Sequence, residues 1–359
     1  MPIVKANKKT IAQAAKIIKA GGIVAFPTET VYGLGANAFN ARAVRKIFET
    51  KGRPMDNPLI VHIGEMGELN KISNFRPFGM SPAGGQFPNS KLRFAMTAEE
   101  LAERFWPGPL TLVLPKNKNI PDEVTAGLRT VAVRMPSHPV ARALIRAAGV
   151  PIAAPSANLS GRPSPTNALH VAEDFGDGLF ILDGGCAEVG LESTVLDLTV
   201  EPPIILRQGA VTLEIIQGVL PETISCKGNF STSAGGKVKS PGMKYRHYAP
   251  RAPLFLAQGK GAKEEIPSIQ RFLLNHKNLR VGVLTVEEHK DRYQHAWVVI
   301  SLGSRRNLSE IAQNLFTSLR KFDKLNVDVI IAETFPREGI GAAIMERLEK
   351  ASYGDGKSR

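Results

Sequence analysis

The chain has 359 residues, a length that favours two domains. Hydrophobic residues make up 43% of it and charged residues 22%, which is ordinary for a globular protein and argues against a disordered chain. No apolar run approaches the roughly 20 residues of a membrane span, and the N-terminus lacks the apolar segment and cleavage site of a signal peptide. We therefore expect a cytoplasmic protein.

The formal net charge of +13 favours an anionic partner such as nucleic acid, nucleotide or phosphate. A basic surface that only aids solubility explains the charge equally well. The two cysteines, Cys186 and Cys226, stand outside any CxxC or Cys/His pattern. Neither a disulfide framework nor a structural zinc site is expected.

Helices and strands alternate irregularly in the first part of the chain. Apolar residues at helical spacing predict a helix over residues 10–20, capped by Thr10, and another over 41–50, capped by Asn40. Other helices are predicted near 98–105, 139–148 and 212–218. Short apolar runs predict strands at 23–26, 58–63, 110–114, 131–133, 152–154, 179–182, 194–198 and 204–206. This mixture predicts an α/β domain with a large mixed sheet over residues 1–220.

A connection and a second domain are predicted to follow. Residues 221–250 form the connection, and the Gly/Ser/Lys-rich part at 227–241 has the composition of a linker. Beyond it, predicted strands and helices alternate, at 253–256, 262–276, 281–284, 298–300, 308–322, 327–332 and 340–350. This alternation predicts a small doubly wound domain over residues 251–359. In the first domain, the Pro/Gly-rich segment 75–89 predicts a long surface loop.

Polar side chains collect where the predicted elements end. Residues 28–30, Thr-Glu-Thr, follow the first buried strand, and a turn explains them as well as a site does. Lys51 and Arg53 flank Gly52 just beyond a helix, so both cations can converge on one anion; a charged helix end is the simpler alternative. His62, inside an apolar strand, is more often a core histidine.

Two later features point to an anionic ligand. Arg134 closes an apolar strand, where it either points outward or meets an anion. The loop at 155–166, PSANLSGRPSPT, brings hydroxyls, an amide and a cation to a strand end, which is where α/β sheets bind nucleotides. The clusters at 192–194 and 207–209 add more polar groups. Cations and hydroxyls are abundant and general bases scarce, so the set predicts electrostatic positioning of phosphates. P-loop, GxSxG and HExxH signatures are absent, which argues against the corresponding enzyme classes.

Six motifs, in order along nearly the whole chain, carry a resemblance to a known family. They are PTETVYGLG, KGRPMDNPLIVHI, PGPLTLVL, PSANLSGRPSPT, ESTVLDL and SPGMKYRHYAP. The second resembles the KxRxxxxPL signature of the YrdC-like family. The last is similar to the linker of the long, two-domain threonylcarbamoyl-AMP synthases. The resemblance implies a YrdC-like twisted mixed sheet with a large basic cavity, followed by a small Rossmann-like domain.

The resemblance also implies an activity. The family joins L-threonine, bicarbonate and ATP into threonylcarbamoyl-adenylate and pyrophosphate, a nucleotidyltransferase reaction. The product feeds the N6-threonylcarbamoyladenosine (t6A) modification of tRNA through a downstream transferase, and Mg²⁺ is expected to arrive with ATP, with no metal site on the protein. Two alternatives stay open: an RNA-binding module of the same fold without this activity, and a carbamoyltransferase. Carbamoyltransferases of this fold carry acylphosphatase and zinc-finger segments, which this chain lacks.

By resemblance, the site residues fall into groups. The predicted threonine contacts are Thr30, His62, Arg134, Ala154 and Ser193, with Arg134 on the carboxylate. The predicted ATP contacts are Arg53, Asn57, Thr130, Ser156, Ser164, Arg207, Tyr245 and His247. Lys51 and Arg53 are the predicted catalytic residues, which stabilise charge on the phosphates. Residues 240–250 of the linker are predicted to close over the nucleotide as a lid, a simple tether being the alternative.

Overall fold

The computed structural model describes residues 3–74, 98–226, 247–259 and 261–353. Two sheets organise these residues: an eleven-stranded mixed sheet ends at residue 225, and a four-stranded parallel sheet begins at residue 254. The predicted mixed sheet and the predicted second α/β domain are both present. Within the described ranges, no helix is both long and apolar enough to span a bilayer.

The first sheet and its helices are made of short elements. The strands are β1 (Ile3–Lys5), β2 (Val24–Phe26), β3 (Gly33–Asn37), β4 (Ile60–His62), β5 (Leu110–Pro115), β6 (Thr130–Arg134), β7 (Ile152–Ala154), β8 (Phe180–Asp183), β9 (Thr194–Asp197), β10 (Ile204–Arg207) and β11 (Ile224–Ser225). The helices are α1 (Lys8–Lys19), α2 (Ala41–Lys51), α3 (Leu69–Ile72), α4 (described part 98–105), α5 (Asp122–Thr125), α6 (Pro139–Ala148), α7 (Ala168–Phe175) and α8 (Leu213–Gln217). Single 3₁₀ turns occur at Met66–Glu68 and Gly176–Gly178.

The strand order is β1-β8-β2-β3-β7-β4-β6-β5-β9-β10-β11. Alternate side chains of a strand point to opposite faces, and β2 shows this: Val24 and Phe26 pack under α1 and α6, whereas Ala25 joins the larger core on the other face. On the α1/α6 face, Ile60 of β4 pairs with Ala154 of β7. Both side chains reach a cavity on that face.

Strand β3 was not predicted from the sequence. Its glycines are required by the neighbouring strands. A Cβ on Gly35 would lie 2.5 Å from Ile152 Cγ2 and 2.7 Å from Phe26 Cε1, so no side chain fits. Close packing across the sheet therefore outweighs the low strand propensity of glycine.

The helix starts were predicted with mixed success. Asn40 caps α2 as predicted, because its side chain accepts a hydrogen bond from the N–H of Ala43. The predicted cap Thr10 is wrong. Asn7 caps α1, and Thr10 is its partner in a capping box.

In its described residues, the second domain has a parallel sheet and three helices. Its strands, in the order β12-β15-β13-β14, are β12 (Leu254–Leu256), β13 (Val281–Thr285), β14 (Val298–Ser301) and β15 (Val329–Ala332). Its helices are α9 (Ala262–Asn275), α10 (Leu308–Lys324) and α11 (Gly339–Ala351), and a 3₁₀ stretch covers Glu287–Arg292. All three strand pairings are parallel, as the alternation of elements predicts.

Helices α10 and α11 contact the first domain beside the cavity. A Cβ on Gly190 would lie 2.3 Å from the Cα of Gln313, so the two backbones touch there. Arg320 donates to the carbonyl of Pro163 over 2.6 Å and to Asp174 Oδ2 over 2.8 Å. The second domain therefore supports the loop at 155–166.

Some predicted segments lie outside the described residues: the long loop at 75–89, the linker at 227–241 and the first part of the predicted lid. The domain limits 1–220, 221–250 and 251–359 stay predictions.

Candidate active site

The cavity on the α1/α6 face has a volume of about 600 Å³, its open mouth included. Its wall is rich in cations, hydroxyls and amides. Ten of the predicted site residues line it: Thr30, Arg53, His62, Arg134, Ala154, Ser156, Ser164, Ser193, Arg207 and His247. Groups that are spread over more than 200 positions of the sequence thus meet in one place.

Three predicted residues do not line the cavity. Asn57 and Lys51 lie behind its wall, and Thr130 lies at the opposite end of β6 from Arg134, about 13 Å along the strand. A fourth, Tyr245, is outside the described residues.

Lys51 holds the loop that forms one wall. Its side chain is 3% exposed, and Nζ donates to the backbone carbonyls of Ser156, over 2.6 Å, and of Asn158. Burial, and next the charge of Arg53, lower the pKa of the ammonium well below its usual value. In this structure Lys51 shapes the loop instead of facing the cavity.

One end of the cavity, which we call the Arg134 end, is lined by Thr30, His62 and Arg134, and Glu29 pairs with Arg134 without lining the cavity. Arg134 Nη2 lies 2.7 Å from Glu29 Oε1, and Nη1 donates to Thr30 Oγ1 over 2.8 Å. The side chains of Arg134 and Glu29 are only 3% and 4% exposed. Burial by itself raises the pKa of Glu29, but the charge and hydrogen bond of Arg134 outweigh it and hold that pKa below its ordinary value. Arg134 therefore sits beside a charged carboxylate.

His62 contributes an uncharged ring to the same end. Burial, and next the charge of Arg134, lower the pKa of His62 to about 3. The ring meets Phe26 edge to face with 6.1 Å between centroids. Its Nδ1 is buried and has no hydrogen-bond partner among the described residues. A buried unpaired nitrogen costs free energy, so a ligand that pairs with it would be favoured.

Buried amides near Arg53 also lack hydrogen-bond partners. Arg53 Nη2 donates to the carbonyls of Asn57, over 3.2 Å, and Pro58, over 3.1 Å. Both polar atoms of the Asn57 side chain, and Oδ1 of Asn158, are buried without a partner in the described part of the chain. Asn158 lines the cavity, so its Oδ1 can accept a hydrogen bond from a ligand there, whereas Asn57 lies behind the wall.

A network of hydroxyls and Arg207 lies farther along the wall. Arg207 Nε donates to the carbonyl of Ser193 over 3.0 Å, and Nη2 to Ser193 Oγ over 3.1 Å. Ser193 Oγ is also 2.7 Å from Thr111 Oγ1. Thr111 lies in β5 and Arg207 in β10, and Ser193 directly precedes β9. These three strands are neighbours in the sheet. Their pairing fixes the network.

Another part of the cavity wall, which we call the Glu192 end, comprises Ser164, Glu192 and Tyr248. The hydroxyl of Ser164 lies 2.5 Å from Glu192 Oε1. Arg347 of α11 donates from Nε to Glu192 Oε2 over 2.9 Å and lies with its guanidinium carbon 5.7 Å from the centre of the Tyr248 ring. The second domain therefore supports the cavity wall from outside, through Arg347.

The last residues of the predicted lid form part of the wall. His247 and Tyr248 line the cavity, and Ala249 N–H donates to the carbonyl of Gly161 over 2.9 Å. Tyr248 stacks on Phe316 of α10 with 5.1 Å between ring centres. Burial, and next the charge of Arg53, lower the pKa of His247 to about 3. This segment links the cavity to the second domain.

The list of predicted contact residues omits several side chains that matter here. Glu29, Asn158 and Tyr248 stand inside the quoted motifs, next to residues that were selected, and that proximity was the available signal. No sequence signal marked Arg347, because a cation in a predicted amphipathic helix cannot be told from a surface charge.

The fold and the cavity define a two-domain α/β protein with a secluded, cation- and hydroxyl-lined site for small polar ligands. A family model described as "Telomere recombination" (Sua5, YciO and YrdC) matches residues 16–209. A second model, "Threonylcarbamoyl-AMP synthase, C-terminal domain", matches residues 211–352. The chain belongs to this family of two-domain threonylcarbamoyl-AMP synthases.

Individual relatives are similar over nearly their full length. The threonylcarbamoyl-AMP synthase of Bacillus subtilis is 48% identical, covering 97% of this chain and 94% of that protein. The threonylcarbamoyl-AMP synthase of Pyrococcus abyssi is 47% identical, covering 94% and 93%. A crystal structure of P. abyssi Sua5 complexed with L-threonine superposes with a TM-score of 0.86, at 44% identity over 98% of each chain.

Proposed function

We propose that the protein is a nucleotidyltransferase, L-threonylcarbamoyladenylate synthase, that forms threonylcarbamoyl-AMP and pyrophosphate from L-threonine, bicarbonate and ATP. The observation that supports the proposal is one cavity whose wall brings Arg134, Thr30 and His62 together with Arg53, Arg207 and several hydroxyls. The names of the relatives support the same reaction, and the P. abyssi protein was crystallised with L-threonine.

Threonine binds at the Arg134 end. A guanidinium has five N–H groups, and the hydrogen bonds to Thr30 and Gly108 occupy two of those on Arg134. The remaining N–H groups of Arg134 can donate both to Glu29 and to the substrate carboxylate. The neutral ring of His62 then pairs through Nδ1 with the threonine hydroxyl or amine. An uncharged imidazole is required here, because a second cation beside Arg134 would repel the ammonium group of threonine.

ATP binds along the part of the cavity wall that runs from Arg53 to the Glu192 end. The guanidinium of Arg53, which lines the cavity, offers N–H donors to the phosphates. Lys51 acts indirectly, because it fixes the backbone of the loop that carries Ser156. Charge near the α-phosphate lowers the barrier by stabilising the developing negative charge.

The reaction needs no protein nucleophile. The ammonium group of threonine first loses a proton to solvent. The free amine then attacks the carbon of bicarbonate, a C–N bond forms, and water leaves to give a carbamate. A carbamate oxygen then attacks the α-phosphorus of ATP, and the bond to the β-phosphate oxygen breaks to release pyrophosphate. The protein contributes proximity, alignment and exclusion of water around these two steps.

Mg²⁺ enters with the triphosphate as part of the substrate. The described residues hold no group of three or more His, Cys, Asp or Glu side chains suited to a metal. The carboxylates nearest the cavity, Glu29 and Glu192, are each paired with an arginine. Mg²⁺ would supply additional charge on the phosphates, and its ligands would come from ATP and water.

The product is an activated adenylate that a downstream tRNA-modifying transferase consumes in t6A synthesis. An RNA-binding module without activity is disfavoured by the site, because Arg134 and His62 are almost completely buried and cannot reach an RNA backbone. Pyrophosphate release from ATP tests the proposal. We expect release that needs threonine and bicarbonate together; release that is indifferent to threonine contradicts it.

A further inference from the structure

Two buried arginines of the second domain reach different parts of the cavity wall. Arg320 of α10 is 2% exposed and Arg347 of α11 is 0% exposed. Arg320 contacts the loop at 155–166, and Arg347 contacts Glu192; both of these wall segments line the cavity. Because a buried charge must be paired to be tolerated, these contacts define where the two domains meet.

The Arg320 contact fixes the end of the loop. Its Nη2 donates to the carbonyl of Pro163 over 2.6 Å, and its two terminal nitrogens donate to the carboxylate of Asp174 over 3.1 and 2.8 Å. Asp174 in turn accepts the N–H of Leu159 over 3.2 Å. Lys51 holds the beginning of the same loop. The first domain therefore fixes one end of the loop, and the second domain fixes the other.

The second wall segment and the residue between the two segments are also held by the second domain. Arg347 Nε donates to Glu192 Oε2 over 2.9 Å. Tyr248, which lines the cavity, stacks on Phe316 of α10 with 5.1 Å between ring centroids. The same ring lies 5.7 Å from the guanidinium carbon of Arg347. Tyr248 thus contacts both helices.

Helices α10 and α11 form one rigid unit. They pack on each other, and residues from both, such as Leu319 and Ile344, belong to one buried hydrophobic cluster. Close-packed interiors resist deformation, so this packing fixes the positions of Arg320 and Arg347 relative to each other. Each arginine transmits its position to the wall segment that it contacts.

We propose that the second domain is a brace for the cavity, and that Arg320 and Arg347 are positioning residues that keep the loop at 155–166 and Glu192 at the spacing a bound nucleotide needs. The inference rests on the proposed use of ATP, whose predicted contacts include residues of that loop. Threonine should depend less on the brace, because His62 and Arg134 come from β4 and β6, which neither arginine contacts.

Calorimetry on the full-length protein, with ATP and threonine titrated separately, tests the two residues. Arg320→Met and Arg347→Met should each weaken ATP binding by about 10-fold and threonine binding by less than about 2-fold, because a displaced wall misaligns only the ligand that contacts it. Asp174 keeps its 2.6 Å ion pair with Arg162 when Arg320 is replaced, so that variant should fold. Lys324→Met is the matched control, because Lys324 is a 63% exposed cation of the same helix, and it should keep both affinities.

The double variant Arg320→Met/Arg347→Met separates a brace from two independent supports. Independent losses multiply, which predicts a loss of about 100-fold. If both arginines set one spacing, the first substitution already releases it, and the double variant should lose less than about 30-fold. The two wall segments also meet directly, where Ser164 Oγ lies 2.5 Å from Glu192 Oε1. The same cycle in a Ser164→Ala background should therefore keep the shortfall if the second domain is its source.

The outcomes separate the brace from the proposed function. Unchanged ATP affinity in the single variants, equal losses for ATP and threonine, losses that multiply, or a shortfall that vanishes with Ser164→Ala overturn the brace even if threonylcarbamoyl-AMP is made. Should a methionine variant not fold, Arg320→Gln and Arg347→Gln, which keep an amide donor, take its place in every comparison. A protein that binds ATP with the predicted pattern but makes no threonylcarbamoyl-AMP refutes the proposed reaction alone. Absence of ATP binding by the wild type refutes both.

Discussion

The buried pair of Arg134 and Glu29 allows stability and substrate binding to be separated by mutation. Arg134→Met leaves Glu29 charged and unpaired in a site where its side chain is only 4% exposed. Breaking one partner of such a pair costs about 3–5 kcal/mol of unfolding free energy. The double variant Glu29→Gln/Arg134→Met removes both charges, and we expect its stability to lie within about 1.5 kcal/mol of the wild type.

Threonine binding should not recover with stability. Loss of a charge-assisted hydrogen bond to the substrate carboxylate costs about 1.5–3 kcal/mol, which is roughly 10- to 150-fold in affinity, in the single and double variants alike. Urea denaturation and threonine calorimetry measure the two quantities. Arg45→Met is the control, because the Arg45–Glu123 pair is on the surface and should contribute less than about 1 kcal/mol. A double variant that binds threonine as the wild type does would refute the role assigned to Arg134.

Three further predictions follow from the contacts and pKa values. Lys51→Met should raise the KM for ATP by about 10-fold or more and change threonine affinity little, because it removes the hydrogen bonds from Nζ to the backbone carbonyls of Ser156 and Asn158. Equal losses for both ligands would argue against it. Arg320→Met should lower the unfolding free energy by about 2–4 kcal/mol, whereas Lys324→Met, which breaks an exposed pair on the same helix, should cost less than about 1 kcal/mol. The folded protein holds the pKa of His62 near 3, whereas the unfolded chain protonates it below about pH 6.5. Stability should therefore fall as pH drops from about 6.5 toward 4, and His62→Asn should reduce that slope by about 1.4 kcal/mol per pH unit; an unchanged slope would show that His62 is protonated in the fold.

Most long elements were predictable because their signals are local. The apolar spacing of α2, α6 and α10 and the runs of β5, β7 and β13 place these elements within a few residues of their observed limits. The elements that were missed depend on distant partners. Strand β1 exists because it pairs with β8, about 180 residues later, and no local pattern announces that pairing.

The candidate site shows the same division. Physical reasoning alone located polar clusters at strand ends, and only the ordered motifs assigned them to threonine and ATP. Neither approach predicted that Lys51 lies behind the Ser156 loop, since that depends on how deeply α2 is buried. The pairing of Glu192 with Arg347 was equally inaccessible, because the two residues are 155 positions apart and belong to different domains.

Incorporation of label from bicarbonate into an adenylate tests the central claim most directly. The full-length protein would be incubated with ATP, Mg²⁺, labelled bicarbonate and L-threonine, and the nucleotides would be separated and identified by mass. We predict a labelled threonylcarbamoyl-AMP that appears with an equal amount of pyrophosphate and disappears when threonine is omitted. AMP and pyrophosphate without a labelled adenylate, or a labelled product that forms without threonine, would contradict the proposed reaction.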